Sequence, residues 1–196
     1  MPQEYSAPRL VLASASPRRA ALLQQIGLPP DAVDPADIDE ATLKRELPRQ
    51  YVARIAGQKL DAVAGRHPDS IILAADTTVA RGRRILPKAE DAATARACLG
   101  MLSGERHRVY GGVAICGPDG HRVSRVVMTA VLFKRLSRQE IDSYIASGEW
   151  EGKAGGYAIQ GRAAAFVKQV SGSYSNVVGL PLFETAQMLQ GMGMRA

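Results

Sequence analysis

Residues 10–28, LVLASASPRRAALLQQIGL, read as strand, turn and helix in one unit. Leu10-Val11-Leu12 is a short apolar run of strand type, and residues 20–26 form a helix closed by Gly27. Between them, Ser14-Ala15-Ser16-Pro17-Arg18-Arg19 is a small-residue turn carrying two adjacent cations. The start of a helix leaves backbone N–H groups without partners, and those groups attract anions. Arginine side chains add forked donors that match phosphate oxygens. Such a unit predicts an α/β protein whose working end holds something phosphorylated.

Working outward, Leu28-Pro29-Pro30 stops the first helix. Residues 31–40 then carry Asp31, Asp34, Asp37, Asp39 and Glu40 with no periodicity beyond a short strand near Val33, so they read as a loop of carboxylates. Residues 48–66 give a helix with the apolar stripe Val52, Ile55, Ala56, Leu60 and Val63. Lys59 lies on that stripe; it either snorkels to solvent or points into a site where an anion meets it. Residues 70–79, SIILAADTTV, form a continuous apolar run, the pattern of a central strand covered on both faces. Its end places Asp76 and Thr77 where α/β sheets gather ligands, unless Asp76 merely caps a turn.

Further along, Arg81-Gly82-Arg83-Arg84 is a basic turn, and Lys88 precedes a helix over residues 89–102. Strands over 109–115 and 121–133 flank the turn Gly117-Pro118-Asp119-Gly120. His107 falls in a charged loop between helix and strand. Ser137-Arg138-Gln139-Glu140 is a capping box opening a helix through Ile145, closed by Gly148. Residues 166–170 alternate as a strand, and Pro181 opens a last helix through Met192. The order predicts one α/β domain with a mixed sheet over residues 10–196, behind a disordered lead-in of residues 1–9.

The 196 residues carry a net charge of +6, which suits an acidic partner: nucleic acid, a membrane surface or a phosphorylated small molecule. The basic residues are scattered, and the aromatic content of 5% argues against stacking of bases, so no stable nucleic-acid binding is expected. Cys98 and Cys116 show no metal spacing and read as core filler. No signal peptide or membrane-spanning run is present, which predicts a cytoplasmic protein with no membrane partner.

The candidate chemistry gathers five cations (Arg18, Arg19, Lys59, Lys88, Lys153), the carboxylates Glu40 and Asp76, and the polar groups Ser16, Thr77, Gln160 and Ser173. There is no Ser–His–Asp signature, Walker loop or Rossmann fingerprint. The set fits a pocket in which cations hold a polyphosphate and Glu40 and Asp76 hold a divalent metal, with a carboxylate left to activate water. Gln160 either reads a base edge or satisfies a buried backbone group.

Taken together, LASASPRRAALL (12–23), AADTTV (74–79), Lys88 ahead of a helix, LSGERHRVYGGV (102–113), KAGGYAIQGRAAAFV (153–167) and SGSYSNVVGLPLFET (171–185) closely resemble the Maf family, in order and over nearly the whole chain. The resemblance implies a two-lobed α/β fold with a long mixed sheet and a central cleft, similar to inosine triphosphate pyrophosphatases. It implies a nucleoside triphosphate pyrophosphatase using Mg²⁺ or Mn²⁺, with a homodimer as the common assembly. Asp76 then matches the proton acceptor. Arg19, Thr77 and Gln160 match positions tied to substrate choice, and Ser16, Arg18, Arg19, Lys59, Lys88 and Glu40 match residues holding phosphate or metal. Gln160 and the Ser-Tyr-Ser run resemble the branch acting on dTTP and UTP; a sister branch preferring 7-methyl-GTP has Glu at Gln160. A purine-triphosphate cleaner and a non-catalytic regulator of septum formation are the alternatives. Two positions depart from the family pattern: Pro87-Lys88-Ala89 re-cuts the lysine loop, and Gly111 replaces a common threonine and loosens its strand.

Overall fold

A computed structural model describes residues 8–194. The opening unit forms strand β1 (Arg9–Leu12) and helix α1 (Pro17–Gln25), so the helix begins at the proline and both arginines sit in its first turn. Arg9 therefore belongs to the sheet rather than to a disordered lead-in; residues 1–7 lie outside the described residues.

The spine of the molecule is β3 (Ser70–Arg81), about 40 Å long at the usual rise per residue. On one edge it runs parallel to β1, which pairs with the short β2 (Ala32–Val33). On the other it runs antiparallel to β6 (Arg106–Cys116), followed by β7 (Arg122–Phe133) and β9 (Val167–Ser171). The basic turn folds β4 (Arg84–Leu86) back onto the end of β3. A separate two-stranded ladder joins β5 (Lys88–Ala89) to β8 (Lys153–Ala154).

Helices cover both faces of the first half of β3, which explains its unbroken apolar run. On one face α1 and α6 (Leu182–Gly191) pack Leu22, Leu23 and Leu189 against Leu10, Leu12, Ile71 and Leu73. On the other, α2 (Pro48–Ala64) packs Ala56, Leu60 and Val63 against Val11, Ile72 and Ala74. A second lobe surrounds the far half of the sheet. There α3 (Ala92–Leu102), α4 (Arg138–Ala146) and the 3-10 turn Arg162–Phe166 enclose Val79, Val109, Val131 and Phe133. The architecture is the expected mixed α/β sheet with two lobes. Both cysteines are buried and unpaired, and no described helix is long and apolar enough to cross a membrane.

Several local expectations are corrected. β3 does not end at Asp76-Thr77 but continues to Arg81, which leaves Asp76 in mid-strand. The third helix starts at Ala92, not Ala89, because the Asp91 side chain accepts the Thr94 N–H (2.7 Å) as its cap, while Ala89 is held in the small ladder. Pro181 is the cap of α6 rather than its first turn. A short helix, α5 (Tyr174–Val178), capped by Ser173 Oγ, went unpredicted. His107 lies within β6, 1% exposed, with Nε2 2.8 Å from the Tyr157 hydroxyl and its ring edge-on to Phe133.

That burial pushes the His107 imidazole down to about 4 from 6.5. The folded value lies below the unfolded one, so the neutral ring destabilises nothing above pH 6.5. About 3 kcal/mol of stability is lost as pH falls from 6.5 to 4, where the unfolded chain takes up a proton that the folded one resists. Urea denaturation at stepped pH should show this loss, and the His107 ring signals should titrate near pH 4 by NMR.

Candidate active site

The cleft opens where β3 lacks a neighbour. β1 stops at Leu12, opposite Leu73, and the β4 pairing starts only at Val79, opposite Leu86. Between those two points the edge of β3 carries Asp76 and Thr77 with no strand beside it among the described residues. Adjacent strand residues point to opposite faces, so Asp76 and Thr77 serve two different halves of the site.

Asp76 faces α2. Its cross-strand neighbour is Gly112, where a Cβ would lie 2.3 Å from the Val52 carbonyl oxygen; only glycine lets the helix seat this closely. That seating brings in Lys59, 7% exposed, with Nζ 2.9 Å from Asp76 Oδ1 and 2.6 Å from Glu40 Oε1. The other Glu40 oxygen meets Lys88 Nζ. Charges thus alternate along one line: Asp76, Lys59, Glu40, Lys88. Desolvation pulls the Glu40 carboxyl upward, but Lys59 and Lys88 outweigh it and hold the group down to about 2, so it is ionised. The acidic loop is tied to α2 through its backbone: Tyr51 donates its hydroxyl to the Glu40 carbonyl (3.0 Å), and Arg54 donates to the Ala41 carbonyl (2.9 Å). Tyr51 could not be picked out from sequence, because it touches a main-chain atom.

Thr77 faces the other way, toward Arg19. That guanidinium is buried, with Nε donating to the Gly179 carbonyl (2.9 Å), Nη1 to Ser14 Oγ (2.7 Å) and Nη2 to Thr77 Oγ1 (3.2 Å). Thr77 donates to the same Gly179 carbonyl at 3.2 Å. Burial lowers the Arg19 pKa, and the Asp76 charge opposes the shift. Arg18, half-buried on the next position, lines the open cleft. Lys153 stands near it; its pKa is lowered by burial and then by the Arg18 charge. Lys153 Nζ donates to the Glu151 carbonyl, and neither cation forms a salt bridge among the described residues. Ser16 caps α1 with its backbone, leaving its hydroxyl on the cleft wall.

The β5–β8 ladder supplies the opposite wall, since Lys88 pairs with Ala154. The re-cut loop around Lys88 therefore still delivers its ammonium to the site. Beyond β8 the wall runs through Tyr157 and Ala158 to Gln160, which is exposed at the rim. Ser16, Arg18, Arg19, Glu40, Lys59, Asp76, Thr77, Lys88, Lys153 and Gln160 all line this one cleft of about 470 Å³. Ser173 does not; it caps α5. Ser14 and the Gly179 carbonyl join the site unpredicted. Nor does Gly111 loosen its strand: a Cβ there would lie 2.0 Å from Asn176 Oδ1, so the gap is filled by a neighbouring side chain.

Among the described residues no three His, Cys, Asp or Glu side chains cluster to hold a metal. Glu40 and Asp76, however, converge on one ammonium, with the outer oxygen of Glu40 held by Lys88. Two carboxylates gathered in this way are the donor type that a hard divalent cation takes, with its remaining oxygens from phosphate and water.

The family model for Maf-like proteins matches residues 9–192. The dTTP/UTP pyrophosphatase of Rhodospirillum rubrum is 64% identical over 186 residues, covering 95% of this chain and 89% of its own. That of Paramagnetospirillum magneticum is 64% identical, covering 94% of this chain and 97% of its own. That of Caulobacter vibrioides is 57% identical, covering 96% and 97%. Among solved structures, a HAM1 protein from Coxiella burnetii shares the fold, with a TM-score of 0.52 at 15% identity over 94% of this chain and 100% of that one. With the family match running from β1 through α6 and these relatives alongside, the chain belongs to the Maf family.

Proposed function

We propose that this protein hydrolyses dTTP and UTP at the α-phosphorus, giving the nucleoside monophosphate and pyrophosphate. One observation carries the reading from the structural side. An Asp76–Lys59–Glu40–Lys88 row, buried at Asp76 and Lys59 and opening to solvent at Lys88, faces a cleft whose other cations, Arg18, Arg19 and Lys153, form no salt bridge among the described residues. Such a site suits a ligand with several negative charges. The bases follow from the relatives, which carry the name dTTP/UTP pyrophosphatase at 57–64% identity.

In this reading Arg18, Lys88 and Lys153 neutralise the triphosphate, and Ser16 with the first turn of α1 takes a phosphate oxygen. Arg19 adds its charge from beneath. Lys59 holds Glu40 and Asp76 side by side. Asp76 accepts the proton of the attacking water as the new P–O bond forms, and the pyrophosphate departs with the electron pair of the broken anhydride. Glu40 and Asp76 would hold Mg²⁺ or Mn²⁺, which when bound neutralises phosphate oxygens and lowers the pKa of water. Arg19, Thr77 and Gln160 set substrate choice; a carboxamide can donate and accept at a pyrimidine edge, which a carboxylate cannot.

Replacing Asp76 by Asn keeps the shape and removes the base. Turnover should fall by roughly 10²–10⁴-fold with the circular-dichroism melt retained; wild-type turnover in Asp76→Asn would remove Asp76 from the reaction. A panel of dTTP, UTP, 7-methyl-GTP, GTP and ITP, with product identification, should show pyrophosphate from the first two. In the same panel Gln160→Glu should move preference away from dTTP and UTP toward 7-methyl-GTP. Unchanged preference would take Gln160 out of base selection.

A further inference from the structure

Asn176 is fully buried and does not line the cleft, yet it sits between the sheet and the residues that do. It belongs to α5, whose last residues Val177 and Val178, with the following Gly179, form part of the cleft wall. Its amide nitrogen donates to the Val109 carbonyl (3.2 Å) on β6 and to Thr129 Oγ1 (3.0 Å) on β7. Its Oδ1 is buried without a hydrogen-bond partner among the described residues. Turning the amide over would face that oxygen against the Val109 carbonyl, two acceptors in contact, so the orientation is set. The oxygen occupies the space where a Gly111 side chain would begin.

Gly111 is also the cross-strand partner of Thr77. Thr129 completes the fastening, accepting the Ser173 N–H and donating to the Ser173 carbonyl, both at 3.1 Å. A helix as short as α5 has no stability of its own and depends on such tertiary contacts. It ends in Gly179 at φ +150°, and the Gly179 carbonyl is the shared acceptor of Arg19 Nε and Thr77 Oγ1.

We infer that Asn176, seated in the gap left by Gly111, is a positioning residue for substrate choice: it fixes α5 so that the Gly179 carbonyl orients Arg19 and Thr77. The inference rests on the reading above, in which those two residues help select the nucleotide. A residue that served packing alone would change the melting temperature and leave selectivity in place.

The test compares wild type with Asn176→Ala, Gly111→Ala, the double variant and Thr129→Val. Steady-state kinetics are measured on dTTP, UTP and CTP, alongside thermal melts and hydrogen exchange of the Arg19 Nε–H by NMR. Asn176→Ala should raise KM for dTTP about tenfold, narrow the preference over CTP and speed exchange at Arg19, with kcat moving less. Gly111→Ala, by displacing the carboxamide, should reproduce this. The double variant should be no worse than Asn176→Ala, because both changes break one fastening. Thr129→Val weakens the same fastening from β7 and gives the same readouts if Asn176→Ala fails to fold. Wild-type selectivity and slow Arg19 exchange in the variants, whatever their melting temperature, would overturn the inference. Absence of dTTP and UTP hydrolysis by the wild type would overturn the functional reading, whereas faster Arg19 exchange in Asn176→Ala would still support the positional link.

Discussion

The Lys59 ammonium is the interaction on which the site depends. A lysine at 7% exposure is unfavourable alone, and so are two carboxylates brought face to face. Together they are mutually compensating: Lys59 reaches Asp76 and Glu40 at 2.9 and 2.6 Å, and Lys88 balances the outer oxygen of Glu40. The arrangement assembles elements far apart in the chain, namely the acidic loop, α2, β3 and the small ladder. Removing the central cation would leave the buried Asp76 carboxylate facing Glu40 with nothing between them.

The cleft itself is a consequence of strand lengths. Among the described residues, β3 outruns β1 and on that edge is met again only by β4. A sheet edge left bare is normally a hazard, since its backbone groups invite pairing with another chain. Here the bare stretch is short and is flanked by α1, the acidic loop and the β8 wall. The two lobes pack on opposite ends of the same strand, so the floor of the cleft is held from both sides while the acidic loop forms part of its wall. Reactive groups on such a floor are held more tightly than they would be on loops.

Much of this was legible in local pattern. The β1–α1 unit, the apolar stripe of α2 and the run of β3 are short-range signals, and each formed nearly where the residues placed it. The chemistry-bearing residues stood out by type, because arginines, a lysine on an apolar stripe and an aspartate in a buried run are costly unless they have work or partners. What was hidden is non-local. The mid-strand position of Asp76 depends on β3 continuing to Arg81 against β6 and β4, and its open edge on where β1 stops. His107 lies between Arg106 and Arg108, so a polar residue in the inward phase of a strand passed for part of a charged loop. Gly179 acts through its carbonyl and Asn176 through a hole left by a glycine on another strand. Neither gives a side-chain signal at its own position. Nor does any local pattern say which anhydride is cut; that came from long collinear motifs.

The glycine pair opposite Asp76 and Thr77 has a further consequence. The group assigned to water and the group assigned to substrate choice are neighbours on one strand, separated only by the two-residue alternation of a sheet. Their faces are distinguished by Gly112 under α2 and Gly111 under α5. A slip of β3 by one residue against β6 would exchange every face at once. The chemistry of this protein is therefore indexed to strand register. A single residue inserted between Ile71 and Asp76 would put Asp76 and Thr77 each on the face that the other now holds.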